Sequence, residues 1–126
     1  MSKQDWRAFI QCLKEESPED FITIREEIDP ILEITGLISG HEKRGMNPVF
    51  FFEKVKGSTY PLVTGIASTR KRLAQALGVN HHDLMDEYRK RAKSLIPPTV
   101  IEGAPFHANV DTGNEIDIGK FPLRKY

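Results

Sequence analysis

The chain contains one cysteine, Cys12. A lone cysteine cannot close an internal disulfide or build a zinc site by itself, and it points to a reducing compartment. A surplus of one charge is missing too. Lys plus Arg and Asp plus Glu number 18 each, so the formal net charge is zero. No whole-molecule field then draws the chain to nucleic acid or an acidic membrane, and only a local basic patch could do so. Long apolar runs are absent. Stretches such as Pro48 to Phe52 fall far short of the roughly 18–20 residues that span a bilayer. The opening Met-Ser-Lys-Gln-Asp-Trp lacks the basic region and apolar core of a signal peptide. There is no G-x-G-x-x-G, no G-x-x-x-x-G-K-S/T and no G-x-S-x-G, which argues against a phosphate loop or a serine nucleophile elbow. No repeat or low-complexity segment occurs. With 126 residues, 39% hydrophobic and 29% charged, the composition suits one packed domain rather than disorder, expected to be soluble and cytoplasmic.

What is present reads as mixed helices and strands. Trp6, Phe9, Ile10 and Leu13 fall at i, i+3, i+4 and i+7, predicting a helix over 5–16 that Ser17-Pro18 ends. The β-branched and aromatic run Phe21-Ile22-Thr23-Ile24 predicts a strand, which Glu26-Glu27-Ile28 leaves. Asp29-Pro30 predicts a second helix, with Asp29 as N-cap and Pro30 in the first helical position. Its apolar stripe is Ile31, Ile34 and Ile38 with Leu37 beside them, and it frays near Arg44-Gly45. Pro48 to Val55 predicts a strand whose three adjacent phenylalanines need cover on both faces, hence a central strand. Lys56-Gly57-Ser58 reads as a turn and Tyr60 to Thr64 as the second arm of a hairpin. Ser68 or Thr69 caps a helix to Leu77, stopped by a left-handed Gly78. Asn80 caps a further helix from His81 to about Ser94, with an apolar face of Leu84, Met85, Tyr88, Ala92 and Leu95. After Pro97-Pro98, residues 99–102, 104–110 and 116–118 read as short strands between turn signals. The expected class is α/β, of the α+β kind: a small mixed sheet with packed helices over 1–97, then an extended β-rich segment over 98–126.

Few residues suggest chemistry. His81 and His82 are adjacent on the predicted helix and diverge by about 100°, so they cannot face one ion. His41 and His107 lie far from them in sequence. Cys12 sits near an apolar stripe, where a structural thiol is the simpler reading. Glu26, Glu27, Asp29 and Glu33 gather at the predicted start of the second helix and complement its dipole. Glu53, on the central strand among aromatics, is a candidate acid or base. Arg70, Lys71, Arg72, Arg89, Lys90, Arg91 and Lys93 flank a helix–Gly78-Val79–helix spacing, which suggests a helix-turn-helix reading of residues 68–94.

Several segments together resemble the N-terminal domain of the UbiD family of prenylated-flavin-dependent decarboxylases. Asp5-Trp6-Arg7-Ala8-Phe9 is similar to the family's D-L-R-x-F, and Ile28-Asp29-Pro30-Ile31-Leu32-Glu33-Ile34 to its V-D-P-x-x-E-I. Phe52-Glu53-Lys54-Val55-Lys56-Gly57 resembles F-E-N-V-K-G. Pro61 to Gly65 with Ser68 to Gly78 resembles P-V-x-x-N-x-x-x-S-x-R-R-x-A-x-A-L-G. Ala104-Pro105, Gly113 to Ile118 and Phe121-Pro122 are similar to its A-P … G-D-x-V-D-L-x-x-L-P. The shared order and spacing carry the resemblance. Lys54 and Gly65 each stand where the family often has Asn, and Gly45-Met46-Asn47-Pro48 replaces a Gly-Gly-Pro-Ala approach.

The resemblance implies an α/β domain that packs against a flavin-binding split barrel and moves with opening and closing of the active site. It implies a carboxy-lyase acting reversibly on an aromatic or α,β-unsaturated acid with prenylated FMN, Mn²⁺ and K⁺. The family's catalytic, cofactor-binding and metal residues lie beyond the motif matched by Phe121-Pro122, so none is placed on this chain. The chain alone is then not catalytic, its partners being the remaining domains, with a homo-oligomer when complete. Arg70 and Arg72 are expected to pair with acids or a neighbouring domain, and Ile116, Ile118, Phe121 and Leu123 to form an exposed apolar patch. The alternatives are a standalone small subunit docking on a larger flavin-containing partner, or DNA binding through residues 68–94.

Overall fold

The computed structural model describes residues 5–123. Helix α1 (Trp6–Glu16) is followed by β1 (Phe21–Ile28), α2 (Glu33–Glu42), β2 (Val49–Val55), β3 (Leu62–Thr64), α3 (Arg70–Leu77) and α4 (Leu84–Ala92). The strands form one sheet in the order β1-β2-β3, with β1 parallel and β3 antiparallel to β2. The phenylalanine strand is central, as its composition predicts.

One sheet face carries the main core. Phe50 and Phe52 stack with ring centroids 5.8 Å apart, and they are buried with Ile28, Ile34 and Val55. Ile22 and Ile24 from β1, Leu62 from β3, and Leu37 and Ile38 from α2 pack against them. Burying each such side chain contributes about 1.5–3 kcal/mol. On the odd-numbered side of β2, the Lys14 ammonium lies 5.1 and 5.0 Å from the Phe21 and Phe51 ring centroids. Leu13, one residue earlier on α1, is buried. Both faces of β2 are thus covered.

The local signals that hold are caps. Asp5 accepts a hydrogen bond from the Arg7 amide and starts α1. Thr69 accepts from the Arg72 amide and starts α3, and Gly78, at φ 68°, ends it.

Four expectations are corrected. First, β1 does not stop near Ile24. It runs on to Ile28, with three residues stepping from Ile24 to Glu27 while β2 steps two. This bulge restores pairing and lets Ile28 reach the core. Second, Asp29-Pro30 is a turn rather than the first turn of a helix. Asp29 Oδ1 accepts from the Ile31 amide at 2.8 Å, Glu33 Oε2 accepts from the Asp29 amide at 2.7 Å, and α2 begins only at Glu33. Between them Leu32 takes φ 68°, the one non-glycine among the described residues with positive φ. Because β1 is longer than expected, the chain must reverse sharply here. Ile31 consequently lies outside the helix and is exposed. Third, residues 81–83 form a turn and α4 starts at Leu84, the one buried residue of its expected apolar face. Fourth, the strands expected after residue 98 do not form. Among the described residues that segment holds only 3-10 turns at Pro105–Ala108, Gly113–Glu115 and Ile118–Lys120. Strand-forming residues without a partner edge do not make a strand.

Candidate functional site

The two ends of the sheet differ. At the end where β1 and β2 begin, the Arg72 side chain is 3% exposed within the fold. One terminal nitrogen donates to the Gly65 carbonyl and to Ser68 Oγ, both at 2.8 Å, and the other donates to the Asn47 carbonyl. Neutral oxygens thus compensate the buried charge, and burial pushes the guanidinium pKa down, opposed by Asp20. Gly65 belongs to the same junction. Its φ is 81°, and a Cβ there would sit 2.6 Å from the Pro48 carbonyl oxygen, so the turn into α3 lies against the entry to β2.

Two open clefts flank this junction. One, of about 170 Å³, is lined by Glu42, Thr64, Gly65 and Ser68 among others. The second, of about 370 Å³, is lined by Glu19, Asp20, His41, Lys71 and Arg72 among others. Neither fits a flavin phosphate. The Arg72 guanidinium is turned to its own chain, Lys71 pairs with Asp20 at 3.8 Å, and the remaining lining carboxylates repel an anion. Among the described residues no three His, Cys, Asp or Glu side chains converge on a metal position.

The candidates from sequence disperse. Cys12 is a half-buried free thiol whose pKa is raised by burial and then by Glu16, which disfavours a thiolate. Glu53 is not held among the phenylalanines. It lies exposed, 3.8 Å from Arg25 at the bulge. Glu26 and Glu27 are exposed on β1, while Asp29 and Glu33 hold the turn, so the four carboxylates form no common site. His81 and His82 do not diverge along a helix. They lie in the preceding turn with ring centroids 3.8 Å apart. His41 Nδ1 is 2.9 Å from the Leu37 carbonyl, and its ring stands edge-on to Phe50. Because a carbonyl only accepts, Nδ1 carries the proton. His107 packs edge-on against Phe106.

The basic run is largely engaged within the chain. Arg72 is buried and hydrogen-bonded to neutral oxygens of its own chain rather than to acids. Arg89 pairs with Asp86, Lys90 with Glu87, and Arg91 with both Glu87 and the Leu77 carbonyl. These pairings lower the local positive charge that a phosphate backbone would meet.

What remains is apolar surface. Ile116, Ile118, Phe121 and Leu123 are exposed, as expected, and so are Leu95, Ile96, Val100 and Phe106. Sequence reasoning misses two further exposed apolar residues, Ile31 and Leu32, by placing them in a helix. No helix among the described residues is long and apolar enough to cross a membrane.

Comparison with known proteins gives a consistent picture. Residues 13–92 match the family model described as the 3-octaprenyl-4-hydroxybenzoate carboxy-lyase N-terminal domain. The phenolic acid decarboxylase of Sedimentibacter hydroxybenzoicus is 31% identical over 115 residues, covering 85% of this chain and 24% of the relative. The vanillic acid decarboxylase of the same organism, in open form with a truncated VdcD, superposes with a TM-score of 0.76 at 29% identity, over 95% of this chain and 26% of that one. An evolved dimeric form of the UbiD-class enzyme HmfF from Pelotomaculum thermopropionicum, in complex with prFMN, gives 0.70 at 26% identity, over 95% and 28%. The chain thus spans about a quarter of the length of the relatives it matches.

Proposed function

The chain belongs to the family of UbiD N-terminal domains, and from that membership we propose that it serves as the N-terminal α/β domain of a prenylated-FMN-dependent carboxy-lyase acting on an aromatic or α,β-unsaturated carboxylic acid. Residues 1–97 are the domain, and 98–126 lead toward a flavin-binding part. The flavin, with Mn²⁺ and K⁺, belongs to that part, as do the groups that handle substrate and protons. The complete enzyme is a cytoplasmic homo-oligomer. The observation that carries the reading is the family match over residues 13–92, set against relatives about four times as long.

By this reading the chain's own role is structural. It presents a rigid sheet and an apolar margin to the flavin-bearing part, and by itself it decarboxylates nothing. The test is the intact mass of the native product from its source cells, with the flavin-region absorbance of the same fraction. A polypeptide several-fold heavier than 14.4 kDa, carrying a flavin chromophore, is the expected result. A 14.4 kDa chain in a stable complex with a separate flavoprotein would replace it with the small-subunit reading. A free 14.4 kDa monomer, or turnover by the isolated chain, would overturn both.

A further inference from the structure

Of the apolar face that the sequence predicts for α4, only Leu84 enters the fold. Met85 at 43% exposure, Tyr88 at 61%, Leu95 at 83% and the exposed Ala92 stay on the surface. The steps from 85 to 88, 92 and 95 are three, four and three residues, the spacing of a seam between two packed helices. Leu95 lies just past the helix end. The stripe has a fixed base, because Arg91 donates to the Leu77 carbonyl at 2.8 Å and ties α4 to the end of α3. Tyrosine and methionine are also residues that interface cores favour.

Charge along α4 is segregated. Asp83 stands at the N-cap with Asp86 and Glu87 in the first turn, while Arg89, Lys90 and Arg91 fill the last turn and Lys93 follows them. Pairs within the helix use part of this charge: Asp86–Arg89 at 3.4 Å, Glu87–Lys90 at 3.7 Å and Glu87–Arg91 at 2.7 Å. The side chains of Asp83 and Lys93, one at each end, have no partner among the described residues. A partner of one charge sign, such as a nucleic acid, is repelled by one end of this helix. A second α4 lying antiparallel sets each acidic end against a basic end and opposes the two helix dipoles. A parallel one sets like charge against like.

We infer that the stripe of Met85, Tyr88, Ala92 and Leu95 is a self-complementary surface on which two copies of this chain pair, α4 against α4 and antiparallel, about a two-fold axis. One patch then meets itself, and each acid–base contact occurs twice. The inference goes beyond the function proposed above and does not depend on it, since it concerns the surface of this chain alone. The seam is short: α4 has nine residues, about 13 Å at a rise of about 1.5 Å per residue. Four apolar side chains and their charged flanks are fewer than the roughly 20–30 residues a side of a standard interface. The pairing is therefore weak, with a dissociation constant on the order of 100 µM.

The test is sedimentation velocity of the 126-residue chain from about 10 µM to about 1 mM. The 14.4 kDa monomer should give way to a species of twice that mass as concentration rises. Met85→Gln with Tyr88→Gln should weaken the pairing about tenfold or more; both side chains are exposed, so the circular dichroism of the monomer should not change. Asp83→Lys with Asp86→Lys should weaken self-association, and so should Arg89→Glu with Lys93→Glu, while an equal mixture of the two variants should pair again. A chain that stays monomeric at about 1 mM overturns the inference. So does a dimer indifferent to the Met85 and Tyr88 changes, or one lost instead on Phe121→Gln, which would place the contact on the apolar surface at 116–123. A mixture of the charge variants that pairs no better than either alone overturns the antiparallel arrangement.

Discussion

Replacing Arg72 tests the closed end of the sheet. Two opposing effects decide the outcome. Hydrogen bonds to a charged group are worth about 1.5–3 kcal/mol each. Against them, stripping water from a guanidinium costs several kcal/mol. Intact, the arrangement is therefore near balance. Arg72→Met removes both effects and keeps most of the volume, so the result depends on what the side chain leaves behind. The Gly65 carbonyl still accepts from Ser68 Oγ at 2.8 Å and from the Ser68 amide at 3.2 Å. The Asn47 carbonyl and the second lone pair of Ser68 Oγ lose the donor that Arg72 supplied.

An acceptor left bare in a buried position costs about 1–3 kcal/mol, but Asn47 and Ser68 are exposed residues and water takes over part of what the arginine supplied. Arg72→Met is thus expected to destabilise by about 1 kcal/mol, the low end of that range. Arg72→Ala adds a cavity and should reach about 3–5 kcal/mol. Arg72→Lys should resemble Met, because an ammonium lacks the planar fork that spans two carbonyls. In urea unfolding followed by circular dichroism, about 1 kcal/mol appears as a midpoint shift of about 0.5 M with an unchanged slope. Ser68→Ala alone should cost about 1 kcal/mol and be non-additive with Arg72→Met, since the two share a hydrogen bond. A Met variant as stable as the wild type would refute the reasoning, because desolvation of the arginine would then outweigh the acceptors it serves.

Three further outcomes follow from the same geometry. Gly65→Ala combines a positive φ with a Cβ 2.6 Å from the Pro48 oxygen and should destabilise by about 3 kcal/mol, read by thermal unfolding. Leu32→Gly removes strain of about 1–3 kcal/mol, gives back about 0.5–1 in chain entropy, and should raise the stability of the isolated chain by about 1 kcal/mol; a fall in its melting temperature would contradict the strain. Glu87 is held below the usual glutamate range by its hydrogen bond from Arg91 and by Lys90. Its contribution is then full above about pH 4.3 and is lost as pH falls through the lower folded value. Glu87→Gln should therefore show a smaller drop in α4 helicity than the wild type between pH 5 and about pH 3, measured by circular dichroism.

Legibility in the sequence follows the range of the forces. Caps and short periodicities are local, so Asp5, Thr69 and Gly78 mark their helices and the phenylalanines mark the central strand. The Asp29-Pro30 pair is ambiguous because one set of residues suits both an N-cap and an Asx turn. What chooses between them is the length of β1, fixed by pairing with a strand whose partner residues lie 27 or 28 positions on, as Ile28 with Val55 and Phe21 with Val49. Arg72 is hidden for a related reason: its partners are two backbone carbonyls and one hydroxyl, and carbonyls have no signature in sequence. The spacing of Ser68 to Arg72, one helical turn behind Gly65, is the available hint. The segment after residue 98 shows the limit of propensity, since its strand-forming residues have no edge to join. The UbiD-like motifs, by contrast, identify the family without any of these details.

The 29–32 turn is held by side chains against the preference of Leu32, and Asp29 makes three of the relevant contacts. Its Oδ1 accepts from the Ile31 amide, its own amide donates to Glu33 Oε2, and its Oδ2 faces Lys56. Asp29→Asn keeps an Oδ1 acceptor and its amide but loses the ion pair. Asp29→Ala loses both side-chain contacts. An exposed ion pair is screened by salt and contributes little, whereas loss of a capping acceptor costs about 1–2 kcal/mol. The melting temperature should therefore stay near the wild-type value for Asn and drop by several degrees for Ala, about 4–8 °C per kcal/mol in a small domain. Alkaline titration separates the two contacts further. Asp29 raises the Lys56 pKa, so the ion-pair contribution is complete below about pH 10.4 and fades as pH rises through the higher folded value. That alkaline loss should be present in the wild type and absent in both variants. If Asn and Ala instead melt together, well below the wild type, then the charge on Asp29 holds the turn and the hydrogen bond to Ile31 does not.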